Sequence, residues 1–374
     1  MKMNYIEINR ISGIPIVELE KKYKLWLGKS KKGAGTVDLK LIAAFSGLSV
    51  SSVSNYFNKK KGAISSEKSD MLEKLIAFLE YIPSNAAKKL RSSNKMSIGY
   101  IAPLTQSSST EYYIDILKGI QSEAHKYGYT IDIYDINEED ERDYFSKLPF
   151  MGLVDGLIIV SSIVSAEDLT PLYLRNIPVF HINPRIEDTN PPFIGSVFSE
   201  VTPITQLFDH IFKDHGYNNP LLLSVNLNNY SQREEKYRLF VEAMENNGMK
   251  FNRERNVIFL DSYSFSEGMR AYQIALEKNP DADVFVCLSD TIALSIMYAL
   301  GKDNKKTAVT GYADFEIAKV FDLTTINQNI DMLGIRAFQQ LYFAIKYISL
   351  NNEFPDYSVN RIPTEFIKRK SCAC

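Results

Sequence analysis

The chain has 374 residues, 45% of them hydrophobic and 24% charged, with 18 Gly and 14 Pro. That composition excludes collagen-like, low-complexity and wholly disordered chains, and the length exceeds what a single core usually holds, so at least two domains are expected. The net charge of −2 conceals an asymmetry: residues 1–97 carry 18 Lys/Arg against 8 Asp/Glu, and the other 277 carry 25 against 37. A basic head on an acidic trunk is the footprint of a segment that meets a polyanion, most simply nucleic acid, with a solvated Lys-rich surface as the plainer alternative. No apolar run approaches the roughly 20 residues of a membrane helix. The opening MKMNYIEINR has no secretory apolar stretch. Three cysteines, Cys287, Cys372 and Cys374, make no disulfide framework, which suits a reducing, cytoplasmic setting.

Residues 1–35 read as an extension of unknown role. Ile6, Ile8, Ile11, Ile14 and Leu19 could order a short piece, and 28–35 (GKSKKGAG) reads as a basic linker. From 38 to 91 the signals are short helices. Leu39, Ile42, Ala43 and Phe45 set one face. Gly47 supplies the positive φ of a tight turn, and Ser49 is a good N-cap for a second helix beginning at Val50. Val53 and Phe57, four apart, form that helix's buried side. Ser65 and Ser66 cap a third helix with Met71, Leu72, Leu75, Ile76 and Leu79 as its stripe, ending before Pro83. Beyond Met96 apolar strand-like runs (98–102, 131–134, 156–160, 178–182, 221–225, 257–260, 284–288 and 308–311) alternate with amphipathic segments. Continuous apolar strands alternating with helices predict parallel sheets covered on both faces, in two doubly wound halves with a ligand cleft at the strands' carboxyl ends.

The segment 39–58 has the physics of a helix-turn-helix. Val53 buries the second helix against the first and leaves Val50, Ser51, Ser52, Ser54, Asn55 and Asn58 facing a major groove, where hydroxyls and amides bond phosphates or base edges. A helical hairpin inside a larger core is the alternative on spacing alone.

These residues, with a set of later motifs in order, resemble the lac repressor/galactose repressor family of bacterial transcription regulators. YIPSNAAKKL (81–90) is similar to the family's hinge helix, and SIGYIAP (97–103) and LVDGLIIV (153–160) to strands of its effector domain. LSDTIAL (288–294), VTGYAD (309–314), LTTINQ (323–328) and IPTEFIKR (362–369) match its later segments. The resemblance spans 38–371. It implies an α/β fold with a helix-turn-helix headpiece (36–83), a hinge helix (84–95) and two periplasmic-binding-protein-like subdomains within 96–371. The N-subdomain would take about 96–196 and 324–350, the C-subdomain about 197–323 and 351–371.

By the same resemblance, Leu90 wedges into the minor groove while Lys88, Lys89 and Arg91 lie near phosphates; wedging costs unstacking and is repaid by a bend. Tyr112, Tyr113, Asn183, Lys236, Asp290 and Gln328 fall at effector-contacting positions, with Arg233 one turn before Lys236. The sequence departs from the family at several points. Asn55 replaces the usual Arg, Phe198-Ser199 and Asn183 replace the usual Asp-bearing positions, and the loop after Pro103 is longer. Arg-to-Lys at 236 is not neutral where bidentate bonding is needed.

The expectation is a regulator, more specifically a repressor, not an enzyme. It would act as a homodimer on near-palindromic double-stranded operator DNA under allosteric control by a sugar-like effector, without a cofactor. No phosphate-loop, dinucleotide or zinc-protease motif is present. The four His are scattered without metal-ligand spacing and the Cys372-Ala-Cys374 tail reads as free thiols, so no metal is expected. A sugar-binding protein without DNA function, or an enzyme on the same two halves, are the competing readings.

Overall fold

The structure, a computed structural model, describes residues 4–29, 37, 39–57, 64–79, 95–104, 110–136, 153–160, 163–185, 187–225 and 231–373. The chain divides into two compact units, Met1–Ser93 and Asn94–Cys374.

The first unit contains α1 (Tyr5–Ser12), α2 (Ile16–Lys29), α3 (Leu39–Ser46), α4 (Val50–Phe57) and α5 (Ser66–Phe78). Ile42, Phe45, Val53, Leu72, Leu75 and Leu79 form its core as the spacing predicts. Ser65 stands at the N-cap of α5, but its side chain makes no capping bond. Within the extension, the described residues 4–29 are not a separate piece. Ile8 and Leu19 are fully buried in the same core, and Tyr23 stacks on Trp26 and leans on Phe45 at 6.3 Å between ring centres. Two short amphipathic helices cannot bury their apolar stripes alone, so they close over α3 and α5.

This N-terminal pair repeats the pair that follows it. Tyr5–Ser12 and Leu39–Ser46 are each eight residues long, and each ends on a glycine in the left-handed region, Gly13 at φ 71° and Gly47 at φ 68°. Ser12 Oγ accepts from the Ile14 N–H at 3.3 Å and Ser46 Oγ from the Leu48 N–H at 3.4 Å. The second helices start three residues after each glycine, and Leu19 and Val53 occupy the same buried position in them. Chain α1–turn–α2 is therefore a second helix-turn-helix. Leu19→Ala should cost about 2–5 kcal/mol of this unit's stability, read by chemical unfolding, whereas Leu25→Ala, at an exposed position, should change it by less than about 0.5 kcal/mol.

The second unit has two lobes. Its first sheet has the order β11-β5-β4-β3-β1-β2, formed by β1 (Ser97–Ala102), β2 (Thr130–Asp135), β3 (Gly156–Val160), β4 (Val179–Ile182), β5 (Phe193–Ser199) and β11 (Ser358–Ile362), all pairing in parallel. Helices α6 (Thr110–Lys126) and α12 (Ile330–Asn351) cover it through Tyr113, Ile116, Ile120, Leu333, Ala337, Phe338 and Leu341.

The second sheet, in the order β7-β6-β8-β9, comprises β6 (Pro220–Val225), β7 (Val257–Leu260), β8 (Val284–Cys287) and β9 (Ala308–Thr310), again parallel. It is accompanied by α7 (Ile204–Asp209), α8 (Ser231–Asn246), α9 (Phe265–Lys278), α10 (Asp290–Lys302) and α11 (Glu316–Val320). A third, two-stranded sheet pairs β10 (Thr325–Asn327) with β12 (Glu365–Ile367) in antiparallel fashion.

One expected boundary moves. Residues 358–362 belong to the first lobe, where β11 adds an edge to β5, rather than to the C-subdomain. The polypeptide passes between the lobes at 199–204, 327–330 and 362–365. These crossings are tied side by side: Ser199 Oγ donates to the Gln328 carbonyl at 3.1 Å, and Thr364 Oγ1 to the Glu200 carbonyl at 3.0 Å.

Candidate functional site

Helix α4 is built to be read from outside. Ser49 Oγ accepts from the Ser52 N–H at 3.0 Å, the capping bond its position predicts. Val53 is buried, Ser51 is exposed, and Val50, Ser52, Ser54 and Asn55 are half-exposed. That is the one-sided burial a helix needs to project into a groove. Asn58, Lys88, Lys89, Leu90 and Arg91, and with them most of the hinge, lie outside the described residues.

The second unit has a cleft between its lobes, enclosing about 760 Å³ out to its open mouth. Six of the seven expected effector residues line it: Tyr112, Tyr113, Asn183, Arg233, Lys236 and Gln328. Tyr112 and Tyr113 enter from the first turn of α6, edge to face at 5.5 Å. Tyr113 is held from beneath by the Tyr100 hydroxyl, which donates to its carbonyl at 2.8 Å. Asn183 follows β4 with φ 47° and bonds the Tyr112 hydroxyl through its amide nitrogen. Its own Oδ1 is buried and has no hydrogen-bond partner among the described residues.

Arg233 and Lys236 come from one face of α8. Lys236 is buried, and its Nζ sits 3.8 Å from the centre of the Tyr312 ring. Burial, helped by the neighbouring Arg233 cation, pulls the Lys236 ammonium from 10.5 down to about 7. The Tyr312 face offsets part of that desolvation. Burial likewise drives the Tyr312 hydroxyl far up, so it stays a neutral donor. Arg233 lies 5.7 Å from the Tyr263 ring centre.

The seventh residue is a correction. Asp290, at the start of α10, is fully buried and is not among the cleft-lining residues. Its Oδ2 accepts from the Phe315 N–H at 2.9 Å and its Oδ1 from the Thr325 hydroxyl at 2.7 Å. Burial raises its carboxyl from 3.8 to about 6. Asp290 thus ties the loop after β9 to the crossing strand β10, and its acceptors are used by the chain itself.

Seven lining residues escaped sequence reading, and four of them carry polar side-chain groups: Gln232, Tyr263, Ser289 and Tyr312. Tyr263 and Ser289 follow β7 and β8, and Tyr312 follows β9; the rule that ligands gather at strand carboxyl ends would have flagged all three. Gln232 is spent on the frame, its Nε2 donating to the Ser199 carbonyl at 3.0 Å. Among the described residues lining the cleft there is no carboxylate, while there are two cations.

Comparison with known proteins follows the same division. Residues 95–370 match the family described as periplasmic binding proteins and sugar binding domain of LacI family. The chain is 25% identical over 343 residues to the HTH-type transcriptional regulator RegA of Clostridium saccharobutylicum, covering 89% of this chain and 98% of that protein. It superposes on the lac repressor dimer bound to operator and the anti-inducer ONPF with a TM-score of 0.73, at 19% identity over 91% of this chain and 100% of that one. A LacI family regulator from Enterococcus faecium with bound ribose aligns with a TM-score of 0.62, at 20% identity over 74% of this chain and 98% of that chain. These relatives are transcription regulators, not enzymes. No helix among the described residues is long and apolar enough to cross a membrane. With two parallel-sheet lobes around a cleft and a helix-turn-helix ahead of them, this chain belongs to the LacI family of periplasmic-binding-protein-like transcription regulators.

Proposed function

We propose that the protein is a cytoplasmic repressor. It binds near-palindromic operator DNA as a homodimer through α4 and releases or retains it according to an anionic sugar derivative held between its lobes. The observation that carries this reading is the pairing, in one chain, of an outward-facing α4 with a cleft whose described lining has Arg233 and Lys236 and no carboxylate. Hydroxyls of a sugar suit Asn183, Gln328 and the tyrosines; a carboxylate or phosphate suits the two cations, which form charge-assisted bonds. An anion would favour the charged form of the buried Lys236 amine, whose pKa is lowered to about 7, as a neutral sugar would not. The intact α3–α4 unit argues against a sugar-binding protein that has lost DNA function.

A single helix-turn-helix reads few base pairs, so two copies on a two-fold site are required. Effector binding can shift operator affinity only by its differential affinity for the two states of the lobes. The test is a gel shift of the full chain on the DNA upstream of its own gene, at several salt concentrations, with neutral sugars, aldonic and uronic acids and sugar phosphates added in turn. Salt-sensitive binding, weakened at least tenfold by Asn55→Ala and altered by an acidic sugar alone, is expected. Binding that is insensitive to Asn55→Ala, or altered equally by neutral sugars, would overturn the reading.

A further inference from the structure

The second lobe holds a cluster of side chains well separated in function from the cleft. Helix α7 continues into a π-helical turn, His210–Asp214, and the closing turn of the chain, Lys370–Cys372, lies beside it. Nε2 of His210 is 3.1 Å from Nε2 of His215 and 3.5 Å from Sγ of Cys372. All three donor atoms fall within 4.8 Å of one another. Around a tetrahedral zinc ion, two imidazole nitrogens stand about 3.3 Å apart and a nitrogen and a thiolate about 3.6 Å apart, from Zn–N and Zn–S lengths of about 2.05 and 2.3 Å. The two spacings made by His210 are close to those of a metal's ligand shell, and the third donor pair lies within 4.8 Å.

The surroundings favour the same reading. His210 Nδ1 pairs with Asp214 Oδ2 at 2.9 Å. A carboxylate there fixes the tautomer that turns the Nε2 lone pair inward, the usual outer partner of a zinc-bound imidazole. The Thr324 hydroxyl lies 3.1 Å from Sγ. Tyr217 stacks on the His215 ring at 5.4 Å and Phe366 packs on His210 at 5.3 Å, holding both rings. His210 and Cys372 are buried and His215 is half-exposed, which leaves one side for entry.

The π-turn explains why sequence spacing concealed the site. Residues five apart on an α-helix point to different faces, whereas the wider winding of a π-turn brings them together; such turns gather at functional sites. Where the sequence reads scattered histidines, the fold brings His210 and His215 together beside Cys372, which is a thiol and not half of a disulfide, as expected.

We propose that His210, His215 and Cys372 bind a zinc-class divalent cation, with its fourth position open to water or another donor, and that the ion pins the C-terminal turn to the lobe. Borderline-soft nitrogen and sulfur donors in tetrahedral array select Zn²⁺ over Mg²⁺ or Ca²⁺.

The experiment uses tag-free, full-length protein stripped with chelator under reducing conditions. It is reloaded with Zn²⁺ for elemental analysis, and separately titrated with Co²⁺ as a spectroscopic substitute. One tightly held zinc per chain is expected. With Co²⁺, intense visible ligand-field bands of a tetrahedral site and a near-ultraviolet thiolate-to-cobalt band should appear. C372S should abolish the thiolate band, and H215Q or D214N should weaken Co²⁺ affinity at least about tenfold. H215Q and D214N change residues that reach the surface, so they report even where C372S fails to fold. Failure to retain zinc, a weak octahedral cobalt spectrum, or a thiolate band that survives in C372S and H215Q but is lost in C374S would overturn the proposal.

Discussion

Lys236→Met is expected to remove the response to an acidic effector while leaving the protein at least as stable without it. The wild-type ammonium is buried against Tyr312 with its pKa lowered to about 7. The proposed anion in the cleft would offset its desolvation, and removing one member of such a pair costs about 2–5 kcal/mol of binding, well over tenfold in Kd. Calorimetric titration of an acidic sugar into both proteins measures this; equal affinities would show that Lys236 does not face the ligand.

The pH dependence has a fixed sign. The unfolded chain holds the Lys236 proton up to 10.5 and the native chain releases it near 7, so between these values the unfolded state binds more protons and stability rises with pH. This contribution should disappear in Lys236→Met. An anionic effector favours the charged amine, so wild-type binding between pH 7 and 9 should take up a proton, seen as a buffer-dependent enthalpy.

Asp290→Ala should destabilise the second unit by about 2–4 kcal/mol, because it strands the buried Phe315 N–H and the Thr325 hydroxyl. Urea unfolding at pH 7 measures it. The wild-type carboxyl titrates near 6 in the native state against 3.8 when unfolded. The native state therefore holds the extra proton between these values, and this group's contribution is lost as pH rises from about 4 through 6. Asp290→Asn should flatten that slope. It should also keep effector affinity within a few-fold, where a ligand-contacting aspartate would lose far more.

The sequence was most legible where one residue forces one conformation. Gly47, the Ser49 cap and the buried Val53 announced the helix-turn-helix, and apolar runs announced the parallel strands. The α1–α2 repeat is hidden in the sequence because Pro15 stands where Ser49 caps the other copy; aligning Gly13 with Gly47 exposes it. The family resemblance implies a ligand contact for Asp290, whereas the hydrogen bonds that consume its oxygens come from residues 25 and 35 positions away. The His210–His215–Cys372 cluster depends on a local change of helical pitch and on a chain end 162 positions from His210, and neither leaves a periodic trace.

The duplicated helix pair bears on how this protein can be recombined with others. At the positions where α4 presents Ser51, Ser52, Ser54 and Asn55, α2 presents Val17, Glu18, Glu20 and Lys21, a different set of side chains. The first copy packs against the second through Ile8, Leu19 and Tyr23. A chimera grafting residues 39–95 alone onto a foreign sensor would carry the reading helix but strip away Ile8, Leu19 and Tyr23, baring an apolar flank beside Phe45 that invites aggregation. The transplantable module begins before Tyr5.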